Sequence, residues 1–252
     1  MPSRREFVRL LAGTTAAVLG CRSTGVAGGS GPARLLARPA APTHPLTPGT
    51  WTLGLGTRAH DGLLLIPQKV AAGTPAPLVV GLHGAGATAS DHINFFGPYA
   101  ESYGFLLLAP DSYGPTWDAV DGGYGPDVAF IDQALVHTFD RCAIDPARIV
   151  VEGFSDGAST ALGLGLANGD LFRRVVAFSP GFIPPSDTAP HGRPEFFISH
   201  GRQDPILPID TASRAIVPAL RNAGYAVTYV EFDGGHGAPP AIADQGAHWL
   251  AR

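Results

Sequence analysis

Cysteine, clustered basic charge, long apolar runs and metal-ligand spacings are all scarce in this chain of 252 residues. Its two cysteines are Cys21 and Cys142. If Cys21 is modified, Cys142 is the only thiol left, no intrachain disulfide can form, and stability has to come from a packed core. Cys142 stands in "DRCAIDPAR", just ahead of a predicted strand, where a buried structural thiol is expected rather than a reactive one. The formal charge of −4 divides into +5 before residue 50 and −9 after it. An acidic domain without a Lys/Arg cluster excludes nucleic acid as the expected partner, because phosphate neutralisation supplies most of that affinity. There is no H-E-x-x-H and no Cys-x-x-Cys, so neither metal nor cofactor is expected. No internal repeat occurs. With 45% hydrophobic and 15% charged residues, the composition is that of one sizeable folded domain and not of a disordered chain.

The longest apolar stretch near the start, "LLAGTTAAVLG", has eleven residues, against the roughly 20 that a transmembrane helix requires. It follows the basic "SRREF" and precedes Cys21, which reads residues 1–21 as an export signal. "SRREFVRLL" resembles a twin-arginine signal, and "VLGC" resembles a lipobox with Cys21 as the lipidated residue. The alternative is an ordinary cleaved signal with an incidental cysteine. Residues 22–49 are rich in Gly, Pro, Ala, Ser and Thr without apolar periodicity, and are expected to form a flexible tether. The only expected membrane association is therefore a lipid anchor at Cys21, outside the cytoplasmic membrane.

From residue 50 to 252, short apolar runs alternate with helical patterns. That pattern predicts an α/β domain with a mostly parallel sheet and helices on both faces. Strands are expected in "WTLGLG", "GLLLIP", "PLVVGLH", "FLLLAPD", "RIVVEGF", "RVVAFSP", "PEFFISHG" and "AVTYVEFDG", the first two as an antiparallel hairpin. Helices are expected over about 88–103, 127–140, 156–168, 210–223 and 239–250. In such sheets ligands lie beyond the carboxyl ends of the strands, so chemistry is to be sought there.

Four of those ends carry it. "VVEGFSDGAS" contains Gly153, Ser155 and Gly157 in a G-x-S-x-G pattern between a strand and a helix; in a glycine-rich chain the pentapeptide alone is weak, and Ser155 could be a mere helix cap. Asp204 follows "PEFFISHG" and His236 follows "AVTYVEFDGG". A serine hydroxyl is a poor nucleophile unless an imidazole takes its proton and a carboxylate holds that imidazole in the right tautomer. Ser155, Asp204 and His236 provide all three groups at independent strand ends. After "PLVVGLH" comes the turn Gly84–Ala85–Gly86, whose Ala85 N–H, with that of Asp156, is the candidate oxyanion hole. His83 is expected to brace that turn. Asp210, the second carboxylate of "HGRQDPILPID", is expected to cap the next helix or meet its dipole.

A rival reading takes Gly84, Gly86 and Ala89 as G-x-G-x-x-A with Asp111 as the acidic partner of a dinucleotide site; it leaves Ser155, Asp204 and His236 unexplained. Instead, "LHGAGATA", "GFSDGASTALGLGLANGDLFRRVVAFSPGF", "SHGRQDPILPID" and "FDGGHGAPP" together resemble the phospholipase/carboxylesterase family of α/β-hydrolases over about residues 60–251. The N-terminal strands also resemble those of secreted polyester-depolymerase and feruloyl-esterase relatives. The resemblance implies a serine hydrolase acting on carboxylic esters through an acyl-enzyme, with Ser155 as nucleophile, Asp204 as acid, His236 as base, and Ala85 and Asp156 as oxyanion donors. It departs from the family at Asp156, where glutamine is frequent, and in "TWDAVDGGYGPDVAF". A non-catalytic lipoprotein that binds a ligand on the same fold is the reading from another class, and thioester or polyester cleavage is the variant within the same mechanism. Loops 112–126 and 180–194 are expected to shape the cleft with Trp117, Tyr124 and Phe182. Without a large lid domain, small to medium acyl esters are the expected substrates.

Overall fold

The computed structural model describes residues 33–56 and 61–252. The export signal of residues 1–21, Cys21 and residues 22–32 of the tether lie outside the described residues. Eight strands form one sheet in the order β1-β2-β4-β3-β5-β6-β7-β8. These are β1 Gly49–Thr52, β2 Gly62–Ile66, β3 Ala76–Leu82, β4 Leu106–Pro110, β5 Ile144–Phe154, β6 Arg174–Phe178, β7 Glu195–Gly201 and β8 Val227–Phe232. β1 and β2 pair antiparallel, as the expected hairpin, and β2 pairs antiparallel with β4. From β4 to β8 every pairing is parallel. The apolar runs explain the choice: a parallel strand is covered on both faces and needs apolar residues at every position. β3, "APLVVGL", is buried throughout.

Among the described residues, five helices cover the two faces: α1 Ala89–Tyr103, α2 Pro126–Arg141, α3 Asp156–Ala167, α4 Ser213–Asn222 and α5 Pro240–Ala251. Because side chains alternate along a strand, each central strand feeds two cores. Leu78, Val80, Ile149, Val151, Val175 and Ile198 pack with residues of α2, α3 and α4. Val79, Val150, Val176 and Phe197 pack under α1 and α5. Helix α4 begins three residues later than its sequence pattern suggests, at Ser213, because residues 209–212 form a turn after Pro208. No helix among the described residues is long and apolar enough to cross a membrane.

The expected tether is corrected from residue 33 onward. Ala33, Leu35 and Ala37 are buried in the core that α2 and α3 cover. Their backbone is held by side chains: Leu35 N–H donates to Asn168 Oδ1 at 2.8 Å, and Leu36 and Ala37 N–H donate to Asp132 Oδ1 at 2.7 and 2.8 Å. Arg34 and Arg38 both pair with Asp170. The apolar residues at 33, 35 and 37 have the period of an extended chain, and that short signal was hidden by the surrounding Gly and Pro. Cys142 is buried behind the end of α2, and burial pushes its thiol up to about 12, which keeps it protonated and unreactive.

Candidate active site

Ser155 sits between the last residue of β5 and the first of α3, with φ 56° and ψ −118°. A non-glycine residue in this region is strained by about 1–3 kcal/mol, a cost that persists only where the surroundings enforce it. Here backbone contacts enforce it. A Cβ on Gly153 would lie 2.3 Å from Gly157 O, and one on Gly157 would lie 2.1 Å from Leu82 O. Both glycines of the pentapeptide are therefore required by the closeness of β3, β5 and α3. The Ser155 hydroxyl does not cap α3. It lies 2.8 Å from His236 Nε2.

His236 Nδ1 donates to Asp204 Oδ2 at 2.7 Å, so the three residues picked out in the sequence form one chain of hydrogen bonds. Asp204 is held in place by more than the imidazole. Its Oδ1 accepts from the N–H groups of Ile206 and Leu207, each at 2.9 Å. Burial alone would raise its pKa, but the Leu207 N–H, His236 and the Ile206 N–H outweigh it and hold the carboxyl below the usual range. The other carboxylate is placed elsewhere. Asp210, with a side chain 77% exposed, pairs with Arg214 at 2.7 Å. It caps nothing, because the N-cap of α4 is Ala212, without a side-chain hydrogen bond; the expected cap is thus an ion pair.

Two residues that the sequence did not single out support this chain. His200, at the end of β7, is fully buried. Its Nε2 lies 2.8 Å from Leu207 O and 3.1 Å from Asp204 Oδ2. Both are acceptors, so Nε2 carries the proton, and Nδ1 accepts from the Ser213 hydroxyl at 2.6 Å. Burial lowers the His200 pKa, which agrees with this neutral tautomer. Ser179, the other non-glycine residue with positive φ among the described residues, donates from Oγ to Gly237 O at 2.9 Å and ties β6 to the loop carrying His236. The ring of Phe154 packs against His236 with centroids 5.1 Å apart.

Opposite the hydroxyl, the turn after β3 comes close enough that a Cβ on Gly84 would lie 3.5 Å from Ser155 Cβ. His83 braces this turn: its Nδ1 donates to Gly84 O at 2.8 Å and its Nε2 accepts from Ser112 N–H at 3.2 Å. Burial lowers its pKa, so the ring is a neutral strut. Gly86 N–H donates to Pro115 O at 2.6 Å. Among the described residues neither Ala85 N–H nor Asp156 N–H has a protein acceptor. The side chain of Asp156 accepts from Thr116 Oγ1 at 2.6 Å.

The aromatic residues expected in the cleft divide. Trp117 is 0% exposed, donates from Nε1 to His83 O at 2.8 Å and packs on the His83 ring at 4.8 Å. Tyr124 is buried, and its hydroxyl fills the space where a Cβ on Gly163 would stand. Neither presents a ring to a ligand; both fill the core above α3, since a buried tryptophan or tyrosine needs a partner for its polar end and finds a backbone carbonyl. Phe182 is 40% exposed, as is Tyr113 at 56%, on the loops after β6 and β4. Asp111 of the rival dinucleotide reading accepts from Ala89 N–H at 2.6 Å, and so serves the start of α1.

Comparison with known proteins finds esterases in sequence and in fold. The phospholipase/carboxylesterase family model matches residues 128–242. Feruloyl esterase C of Emericella nidulans is 28% identical over 228 residues, covering 76% of this chain and 83% of its own. The probable feruloyl esterase C of Aspergillus oryzae is 28% identical over 178 residues, covering 68% of this chain and 64% of its own. Among solved structures, esterase PE8 superposes with a TM-score of 0.62 at 23% identity over 76% of this chain and 97% of its own. Acetyl xylan esterase of Aspergillus awamori does so with 0.61 at 16% identity over 80% and 98%. The chain is thus similar to the phospholipase/carboxylesterase family over residues 128–242 and to feruloyl esterases over most of its length, and it has the α/β-hydrolase fold of these solved esterases.

Proposed function

We propose that the chain cleaves carboxylic esters of small to medium acyl groups by a serine mechanism, with Ser155 as nucleophile, His236 as general base and Asp204 as the residue that orients it. The observation that carries this reading is the unbroken path from Ser155 Oγ through His236 to Asp204, at 2.8 and 2.7 Å. His236 Nε2 takes the hydroxyl proton as Oγ attacks the ester carbonyl carbon. The resulting oxyanion is met by the N–H groups of Ala85 and Asp156. His236 then returns the proton to the departing alkoxide, which leaves the acyl group on Ser155. Water, activated by the same imidazole, releases the acid and restores the hydroxyl.

Feruloyl esters are the substrates to try first, because relatives carrying that activity in their names align over most of this chain. The exposed rings of Tyr113 and Phe182 at the carboxyl end of the sheet suit an aromatic acid. For location, we propose export by the twin-arginine route and a lipid anchor at Cys21. Replacing Cys21 by serine should release the protein from membrane fractions, and retention equal to wild type would rule the anchor out.

The test of the mechanism is Ser155→Ala with fluorophosphonate labelling and ester turnover. Labelling should vanish and turnover fall by about 10⁴-fold or more. A variant that still labels refutes the assignment.

A further inference from the structure

Pro115, Thr116 and Trp117 are three consecutive residues of the loop after β4, and each makes a hydrogen bond to the ground around Ser155. Pro115 O accepts from Gly86 N–H at 2.6 Å. Thr116 Oγ1 donates to Asp156 Oδ2 at 2.6 Å. Trp117 Nε1 donates to His83 O at 2.8 Å. The first and third bonds fall on either side of Ala85, at the end of β3; the second falls on the residue after Ser155, at the start of α3. The two unpaired N–H groups, of Ala85 and Asp156, thus belong to different elements, and this segment hydrogen-bonds to both.

The loop itself is fixed from behind. Asp127, in the first turn of α2, accepts from Tyr113 N–H at 2.8 Å and from Asp118 N–H at 2.7 Å. Asp118 returns a bond, accepting from Asp127 N–H at 2.9 Å. Trp117 is fully buried against His83. The segment is a rigid bridge and not a mobile cover.

We propose that Pro115–Trp117 is a positioning element for the oxyanion hole, with Thr116 setting the direction of the Asp156 N–H. The inference rests on the serine-hydrolase reading above. Donors of an oxyanion hole are effective because they are aimed before charge develops, and a small misalignment is expensive in rate. Asp156 adds a second need for the bond. Its carboxylate neighbours the place where a negative charge must form, and the Thr116 hydroxyl holds Oδ2 toward the loop.

The experiment compares wild type, Thr116→Val and Thr116→Ser on p-nitrophenyl acetate, together with inhibition by an aliphatic trifluoromethyl ketone, whose serine adduct carries the same oxyanion. Thr116→Val should lower kcat by about 10- to 50-fold, a fraction of the loss seen when a whole donor is removed. KM should stay within about threefold, since the ground-state carbonyl uses these donors little. Affinity for the ketone should fall in parallel with kcat. Thr116→Ser, which keeps the hydroxyl, should stay within about threefold of wild type in both measures. If the valine variant does not fold, Thr116→Ala reads the same loss without placing a methyl against the carboxylate. A folded variant lacking the hydroxyl that keeps its kcat, or that loses kcat while binding the ketone as wild type does, overturns the proposal, as does a serine variant as impaired as the valine one. An active wild type separates those failures from a failure of the serine mechanism, which would show as no hydrolysis and no labelling of Ser155 and would take this proposal with it.

Discussion

Asp204→Asn tests the orienting role proposed for the carboxylate, because it keeps the shape of the side chain while replacing a charged acceptor oxygen by an amide donor. The amide oxygen would stay with the Ile206 and Leu207 N–H groups, which now donate to Oδ1 at 2.9 Å each. That leaves the amide NH₂ where Oδ2 stands, facing His236 Nδ1 at 2.7 Å and His200 Nε2 at 3.1 Å. Both of those nitrogens carry protons in the wild type, so donor meets donor twice. His236 escapes by moving its proton to Nε2, and Nε2 can then no longer accept from Ser155. In serine hydrolases this wrong tautomer lowers turnover by about 10⁴-fold, or about 5.5 kcal/mol of transition-state stabilisation. The strained contact at His200, which has no such easy escape, should remove about 1–3 kcal/mol of stability. For a domain of this size that is a fall in Tm of roughly 2–12 °C. The assay is steady-state hydrolysis of a p-nitrophenyl ester beside a melting curve, with Asp210→Ala as the control. Asp210 is mostly exposed and pairs only with Arg214, so its loss should change stability by less than about 1 kcal/mol and turnover by less than twofold. A folded Asp204→Asn that keeps a tenth or more of wild-type kcat, or a loss of activity in Asp210→Ala instead, would refute the reasoning.

Further outcomes follow from particular contacts. Gly157→Ala brings a Cβ within 2.1 Å of Leu82 O and 2.5 Å of His83 O, both backbone atoms, so urea unfolding should show a loss of more than about 3 kcal/mol. Gly237→Ala, where nothing lies within 4 Å of the added carbon, should change stability by less than about 1 kcal/mol, and equal losses in the two variants would contradict the packing account. Asp118 is raised from 3.8 to about 6, chiefly by burial. The folded state then holds a proton that the unfolded chain gives up, so this group stabilises the fold in acid and loses that contribution as pH rises from about 4 through 6. The difference would approach 3 kcal/mol for a sealed site, and solvent screening reduces it to about 1 kcal/mol here. Asp118→Asn should therefore gain about that much over wild type at pH 7.5 and nothing at pH 4, in melting curves at the two pH values; a gain that does not change with pH would refute the assignment.

The order of strands and helices was legible in the sequence because its causes are local. Short continuous apolar runs such as "PLVVGL", β-branched and bounded by Pro and Gly, read as strands covered on two faces, and glycines at 153 and 157 around a serine mark a turn that a Cβ would block. The positions of Ser155, Asp204 and His236 at strand ends were legible for the same reason, since chain order along an α/β sheet fixes which loops share one edge. Other features depended on contacts between residues far apart in the chain. "ARLLA" at 33–37 reads as part of a tether until Asp132 and Asn168 are seen to hold its backbone, and Trp117 and Tyr124 read as cleft residues until α3 and His83 are seen to bury them. Nothing near Thr116 or His200 in the sequence marks them, because their partners Asp156 and Asp204 meet them only across loops. Local backbone preference is written residue by residue, so the sequence alone determined the elements and the strand ends at which Ser155, Asp204 and His236 stand. Burial and hydrogen-bond partnership are properties of pairs brought together by the whole fold, and only the tertiary structure decided which aromatics became supports and which carboxylate met the imidazole.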